Sequence, residues 1–216
     1  MSVTHIPDFL RRLWQNRTGL ALIEFAYTAP FLAILIGGGV ELANYSITHM
    51  RVSQIAVSLA DNASRAKEQV AAGMPPIREV DINEIFNASS QQAGGLDIQQ
   101  NGRLILTSLE VNSDGGQWLH WQRCFGDANY DSSYGNEGDG ASGTAISAIG
   151  PAGRQVFTED GEAVMFVEVV YDYQPLMFGQ WVPDPTIRKT AAMYVRDSRD
   201  LSGVANASGA PASTCS

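Results

Sequence analysis

Glu24 is the one charged side chain in the apolar run 20–40, and it follows shortly after Gly19. An ionised group inside lipid costs roughly 2.5–3.5 kcal/mol on insertion scales, so it is a functional-site candidate by default. Its chemistry would be charge pairing, unless it lies near enough to the interface to snorkel. A cut after Gly19 would make Leu20 the first residue and Glu24 the fifth, placing a free amino group and a carboxylate at the start of one apolar helix.

Cys124 and Cys215 are the only cysteines. In an oxidising compartment they can pair, closing a loop of about 90 residues at a gain of ~4–5 kcal/mol in the chain-entropy treatment. Two free thiols, or a bridge to another subunit, are the alternatives. Zinc would need further ligands, and His49 and His120 do not stand at ligand spacing with the cysteines, so no metal site is expected. Residues 138–143 spell G-x-G-x-x-G, but no apolar strand precedes them and their acidic neighbours would repel a pyrophosphate. Asp127, Asp131, Glu137 and Asp139 offer oxygen donors of the kind calcium uses, at spacings unlike an EF-hand. No nucleophile elbow, H-E-x-x-H or phosphate-binding loop occurs, so neither an enzyme activity nor a cofactor is expected.

The run 20–40 has the length of a helix crossing a ~30 Å hydrocarbon layer. Arg11, Arg12 and Arg17 precede it with only Asp8 in opposition, which predicts a cytoplasmic N-terminus and everything after residue 40 outside. A secretory signal is the alternative, with the small residues 37–39 imitating a cleavage site, although its apolar core is shorter. Pro30 and the 37–39 glycines predict a bendable anchor. The remaining chain is more acidic still than the overall net charge of −9, which gives no support for nucleic-acid binding.

Beyond the apolar run, Leu42, Tyr45, His49, Val52, Ala56, Leu59, Ala63, Ala66 and Val70 recur at steps of three and four, predicting that the helix continues to about residue 72. Gly73, Pro75 and Pro76 end it. A short helix is expected over 81–93. Strands are expected over 103–111 and 117–124, joined as a hairpin through 113–116, with two more over 162–173 and 186–196. Residues 126–153 read as a long exposed loop. Trp118, Trp121, Tyr171, Tyr173, Phe178 and Trp181 read mainly as core, with Trp181 beside Pro183 as an exposed contact.

The expected fold is therefore α+β. A long N-terminal membrane-spanning helix continues into an extracytoplasmic helix, followed by a small head with an antiparallel sheet of about four strands. The segments are a basic leader (1–19), a transmembrane segment (20–40), an extracytoplasmic helix (41–72), the head (73–197) and a flexible tail (198–216).

Residues 17–26, Arg-Thr-Gly-Leu-Ala-Leu-Ile-Glu-Phe-Ala, followed by Ala29-Pro30-Phe31-Leu32, closely resemble the N-terminal signature of TadE-like proteins of the tight-adherence (Tad) pilus system. Residues 166–176 look like the late strand and turn of that family. The resemblance implies a minor pilin or pseudopilin of the bacterial inner membrane, with a periplasmic head. It implies processing by a prepilin peptidase between Gly19 and Leu20. Glu24 and Phe25 would then act in assembly, Glu24 facing the amino terminus of a neighbouring subunit. The implied partners are other Tad pilins and pseudopilins, the inner-membrane assembly platform and membrane lipid. TadF-like and TadG-like proteins share the opening, and the 126–153 loop departs from the shorter TadE-like members. The alternative is a single-pass membrane-anchored extracytoplasmic protein that binds a ligand or calcium.

Overall fold

Helix α2 (Thr18–Arg65) organises the molecule: its first half is bare and its second half carries the head. The computed structural model describes residues 6–16, 18–66, 73–177, 185–196 and 198–215. A short helix, α1 (Ile6–Gln15), precedes α2. With 48 residues, α2 is about 70 Å long at the usual rise per residue. Pro30 sits inside this unbroken helix. The Thr28 hydroxyl donates to the Glu24 carbonyl at 2.9 Å within the turn before it. The expected continuation holds to residue 65; its final part, with Val70, lies outside the described residues.

The head begins with β1 (Pro76–Arg78) and α3 (Glu79–Ala93). Asp81 ties that junction by accepting from the Arg78 backbone N–H at 3.1 Å and from its guanidinium at 2.7 Å. A 3-10 turn (Gly94–Leu96) and α4 (Ile98–Asn101) lead to β2 (Gly102–Val111), β3 (Gln117–Phe125), β4 (Val164–Asp172), β5 (Thr186–Tyr194) and β6 (Asp200–Ala205). The main sheet has the order β3-β2-β4-β5, antiparallel throughout, while β1 and β6 form a separate parallel pair. The α+β class with four antiparallel strands agrees with the expectation from sequence.

Strand β4 is buried along almost its whole length because both faces of the sheet are covered. Met165, Val167, Val169 and Tyr171 pack toward Val52, Ile55, Leu59 and Ala63 of α2 and Ile82 and Phe86 of α3. Val164 and Phe166 instead join Leu109, Leu119 and Ile149, with Tyr134, Ile146 and Val156 packed against them. This second cluster corrects the reading of 126–153 as an exposed loop. The segment has no regular structure, but it lies over the outer face of the sheet and along the edge of β3. Asp139 and Ile146 carbonyls accept from the Leu119 and Gln117 N–H groups there. Gly140 (φ +76°) permits the approach, since a Cβ would stand 2.2 Å from the Gln117 carbonyl oxygen.

The tail also differs from its expected looseness. Residues 200–205 form β6 beside β1, although their small and polar composition gave no strand signal. Further on, Asn83 of α3 donates to the Pro211 carbonyl at 2.9 Å, and the Cys124 N–H donates to the Ser213 carbonyl at 2.7 Å. Cys124 and Cys215 are joined as a disulfide, and Arg103 donates to the Cys215 carbonyl at 2.9 Å.

The C-terminal end of α2 meets this region as well. Buried Arg199 donates to the Ala63 carbonyl at 2.8 Å, so a cation stands at the negative end of the helix. Arg196 pairs with Asp61 at 2.9 Å.

Candidate functional site

Gly19–Arg65 is the one helix among the described residues long and apolar enough to cross a membrane. From Leu20 to Ile36 nearly every side chain is exposed, including Leu22, Phe25, Phe31 and Leu35. Pilin-like architecture consists of this combination: a long apolar N-terminal helix, bare at one end, and a small β-rich head packed on the other. The disulfide in that head suits an oxidising, extracytoplasmic compartment.

Gly19 and Leu20 lie in the first turn of α2, where backbone N–H groups have no intrahelical acceptors. A side chain at Gly19 would meet nothing within 4 Å. Glu24 and Phe25 are exposed one turn further on, and among the described residues nothing pairs with the Glu24 carboxylate. Arg17 lies outside the described residues. The four residues singled out for processing and assembly thus share one open stretch of helix.

Protein contact begins at Gly37, and Glu41 is the first buried side chain on α2. The predicted stripe assigned Leu42 to the packed face, but Leu42 points outward and Glu41 takes the inward position. Tyr45 is half-buried, and Val52, Ala56, Leu59 and Ala63 pack as expected. The Glu41 carboxylate accepts from the Tyr173 hydroxyl at 2.6 Å and from the backbone N–H groups of Leu176 at 3.1 Å and Met177 at 2.8 Å. Asn44 donates to the Tyr173 oxygen at 2.8 Å. Burial, and then the hydrogen bond to Glu41, push the Tyr173 hydroxyl up to about 12. This clamp fixes residues 173–177, just past β4, to the helix where the apolar run ends. Glu41 carries a sequence signal of its own, as a lone acid at the helical register of the packed face.

Two further polar centres hold the head. Arg123 on β3 grips Glu79 at 2.6 Å and reaches Glu137 at 3.1 Å. Burial would lower the Arg123 pKa, but hydrogen bonding and charge from Glu79, with help from Glu137, hold it above the ordinary value. On β4, buried Glu168 accepts from the Ser132 hydroxyl and from the Ser133 N–H at 2.9 Å. Desolvation still raises its pKa, against those bonds and the charge of Arg188.

Of the acidic residues considered for calcium, Asp131 and Glu137 line one pocket, but the four do not form one cluster. Asp127 accepts from Gln99, Glu137 from Arg123 and Asp139 from the Asn136 N–H. Among the described residues no group of three or more His, Cys, Asp or Glu side chains could hold a metal ion. Trp121, Tyr171 and Tyr173 are buried, whereas Trp118 stacks on His120 at 3.8 Å. Phe178 and Trp181 lie outside the described residues. No family model, curated protein or solved structure matches the chain.

Proposed function

We propose that this chain is a minor pilin or pseudopilin that supports assembly of a Tad-type, type IVb-like pilus used in surface attachment. It acts by lateral packing of its N-terminal helix rather than by catalysis. The carrying observation is the division of α2, whose residues 20–36 have no protein covering them while its second half is built into the head. A bare apolar half-helix has two good environments, lipid and the helices of other subunits. A prepilin stored in the inner membrane with its N-terminus cytoplasmic, then transferred into a fibre, would use both in turn.

On this reading a prepilin peptidase cuts between Gly19 and Leu20, and Glu24 neutralises the new amino terminus of a neighbour. Such a pair is worth more in a low-dielectric setting than in water. The partners are other pilins, the assembly platform and membrane lipid. The test is Glu24→Ala in the producing bacterium, with N-terminal sequencing of the membrane-extracted protein. An N-terminus at Leu20 and sharply reduced surface pili are expected. An intact Met1 overturns the processing step, and normal piliation with the variant overturns the charge pairing.

A further inference from the structure

We propose that the residues just past β4 are a second membrane contact, with Leu176 and Met177 seated in the boundary between headgroups and acyl chains beside the outer end of the spanning helix. The inference rests on the reading that residues 20–40 span a bilayer.

The first argument is height. The apolar run ends at Val40, and the next side chain, Glu41, binds the Leu176 and Met177 amides directly. Leu176 and Met177 are therefore held at the level where lipid gives way to water.

The second argument is direction. Strand β4 runs opposite to α2: the β5–β6 connection bonds the far end of the helix, with Arg196 N–H reaching the Ser64 carbonyl, while Tyr173 at the end of β4 meets Glu41 and Asn44. A chain leaving β4 is thus heading toward the membrane.

The third argument is chemistry. Leu176 and Met177 are 61% and 65% exposed, and Val40 and Leu42 on the adjacent helix turn are exposed too. At the level where the span ends, the head thus adds two exposed apolar side chains of its own. Backbone entering a low-dielectric layer must have its N–H groups satisfied, and the Glu41 carboxylate satisfies both amides. The occupant that fits is lipid, because the two side chains stand at the end of a helix already suited to lipid. Two contacts, one spanning and one interfacial, would set the tilt of the head relative to the bilayer.

The full-length chain in phosphatidylethanolamine–phosphatidylglycerol nanodiscs tests this with a benzophenone amino acid placed singly at Met177, at Leu32 in the span, or at Asp114 in the β2–β3 turn. Asp114 stands at the far end of the sheet, about 30 Å away at the usual strand rise. Lipid adducts identified by mass are expected at Leu32 and Met177, with a yield at Met177 roughly tenfold above that at Asp114, as for an interfacial apolar contact. Adducts at Leu32 with Met177 no better than Asp114 overturn the inference and leave the span intact. Absence at Leu32 overturns the spanning reading itself. A protein–protein adduct at Met177 in place of lipid also overturns the inference, and identifies the patch as a subunit interface.

Discussion

The Tyr173 hydroxyl donates a 2.6 Å hydrogen bond to the Glu41 carboxylate, joining the end of β4 to α2 where the apolar half of the helix stops. Tyr173→Phe removes one donor to a buried carboxylate, and a hydrogen bond to a charged group contributes ~1.5–3 kcal/mol. The variant is expected to lower the melting temperature of the full-length protein in detergent at neutral pH. Because the folded Tyr173 pKa, about 12, exceeds the unfolded value, its contribution is complete below the unfolded pKa and disappears as pH rises through the folded one. The difference between wild type and variant should therefore shrink only in strongly alkaline solution. Melting curves that coincide at neutral pH would remove the clamp.

Glu168 makes the opposite kind of prediction, since its raised pKa marks a carboxylate whose charge is costly in place. The folded state binds the proton more tightly than the unfolded one. The stabilising effect is thus full below the unfolded carboxyl pKa and lost as pH rises through the folded value. Glu168→Gln removes the charge; its amide oxygen can still accept from the Ser133 N–H, and its NH2 can donate to the Ser132 hydroxyl oxygen in place of the bond that hydroxyl now gives. Relative to wild type, the variant should gain stability between mildly acidic and neutral pH, followed by denaturant titration at several pH values. A constant difference across that range would contradict the assignment.

The pair Arg123–Glu79 is nearly enclosed, with side chains 11% and 4% exposed. Removing one partner from such a pair strands the other, at a cost of ~3–5 kcal/mol. Arg123→Met should show that loss in equilibrium unfolding, and adding Glu79→Gln should restore part of it. If the double variant is no better than the single one, the stranded-charge explanation fails.

Reduction of Cys124–Cys215 releases a constraint spanning 91 residues. In the chain-entropy treatment the loss is about 4–5 kcal/mol. Cys215→Ser should lower stability by that order and raise hydrogen exchange in β6 and residues 206–215 before the main sheet. Uniform acceleration across the sheet would show that the tail and sheet unfold together.

The main sheet was legible because its signals are local. Residues 103–111 and 117–124 carry strand-forming side chains around a turn rich in glycine, and β2 and β3 match them to within a residue at each end. The missed parts depend on distant partners. Strand β6 consists of small and polar residues and exists through β1 and the tail bonds beyond it. In the segment 126–153, Tyr134, Ile146 and Ile149 are scattered without a period, and their burial arises only when the outer face of the sheet lies beneath them. Glu41 is hidden from sequence because apolar residues at helical spacing pick out Leu42, one position away. At the open end of α2, Gly19, Leu20, Glu24 and Phe25 are recognisable as a cluster because they are adjacent in sequence, and the structure leaves all four exposed.

The placement of β4 and β5 along α2, β4 running against the helix and β5 with it, also has a mechanical consequence. A pull along the helix axis, as when a subunit is drawn out of a bilayer, loads the helix–sheet contact in shear across many side chains at once instead of peeling one strand at a time. The Glu41 clamp lies at the near end of this load path and the Arg199–Ala63 bond at the far end. The disulfide lies off the path, so extraction force would bypass the covalent staple and be borne by packing between α2 and the sheet.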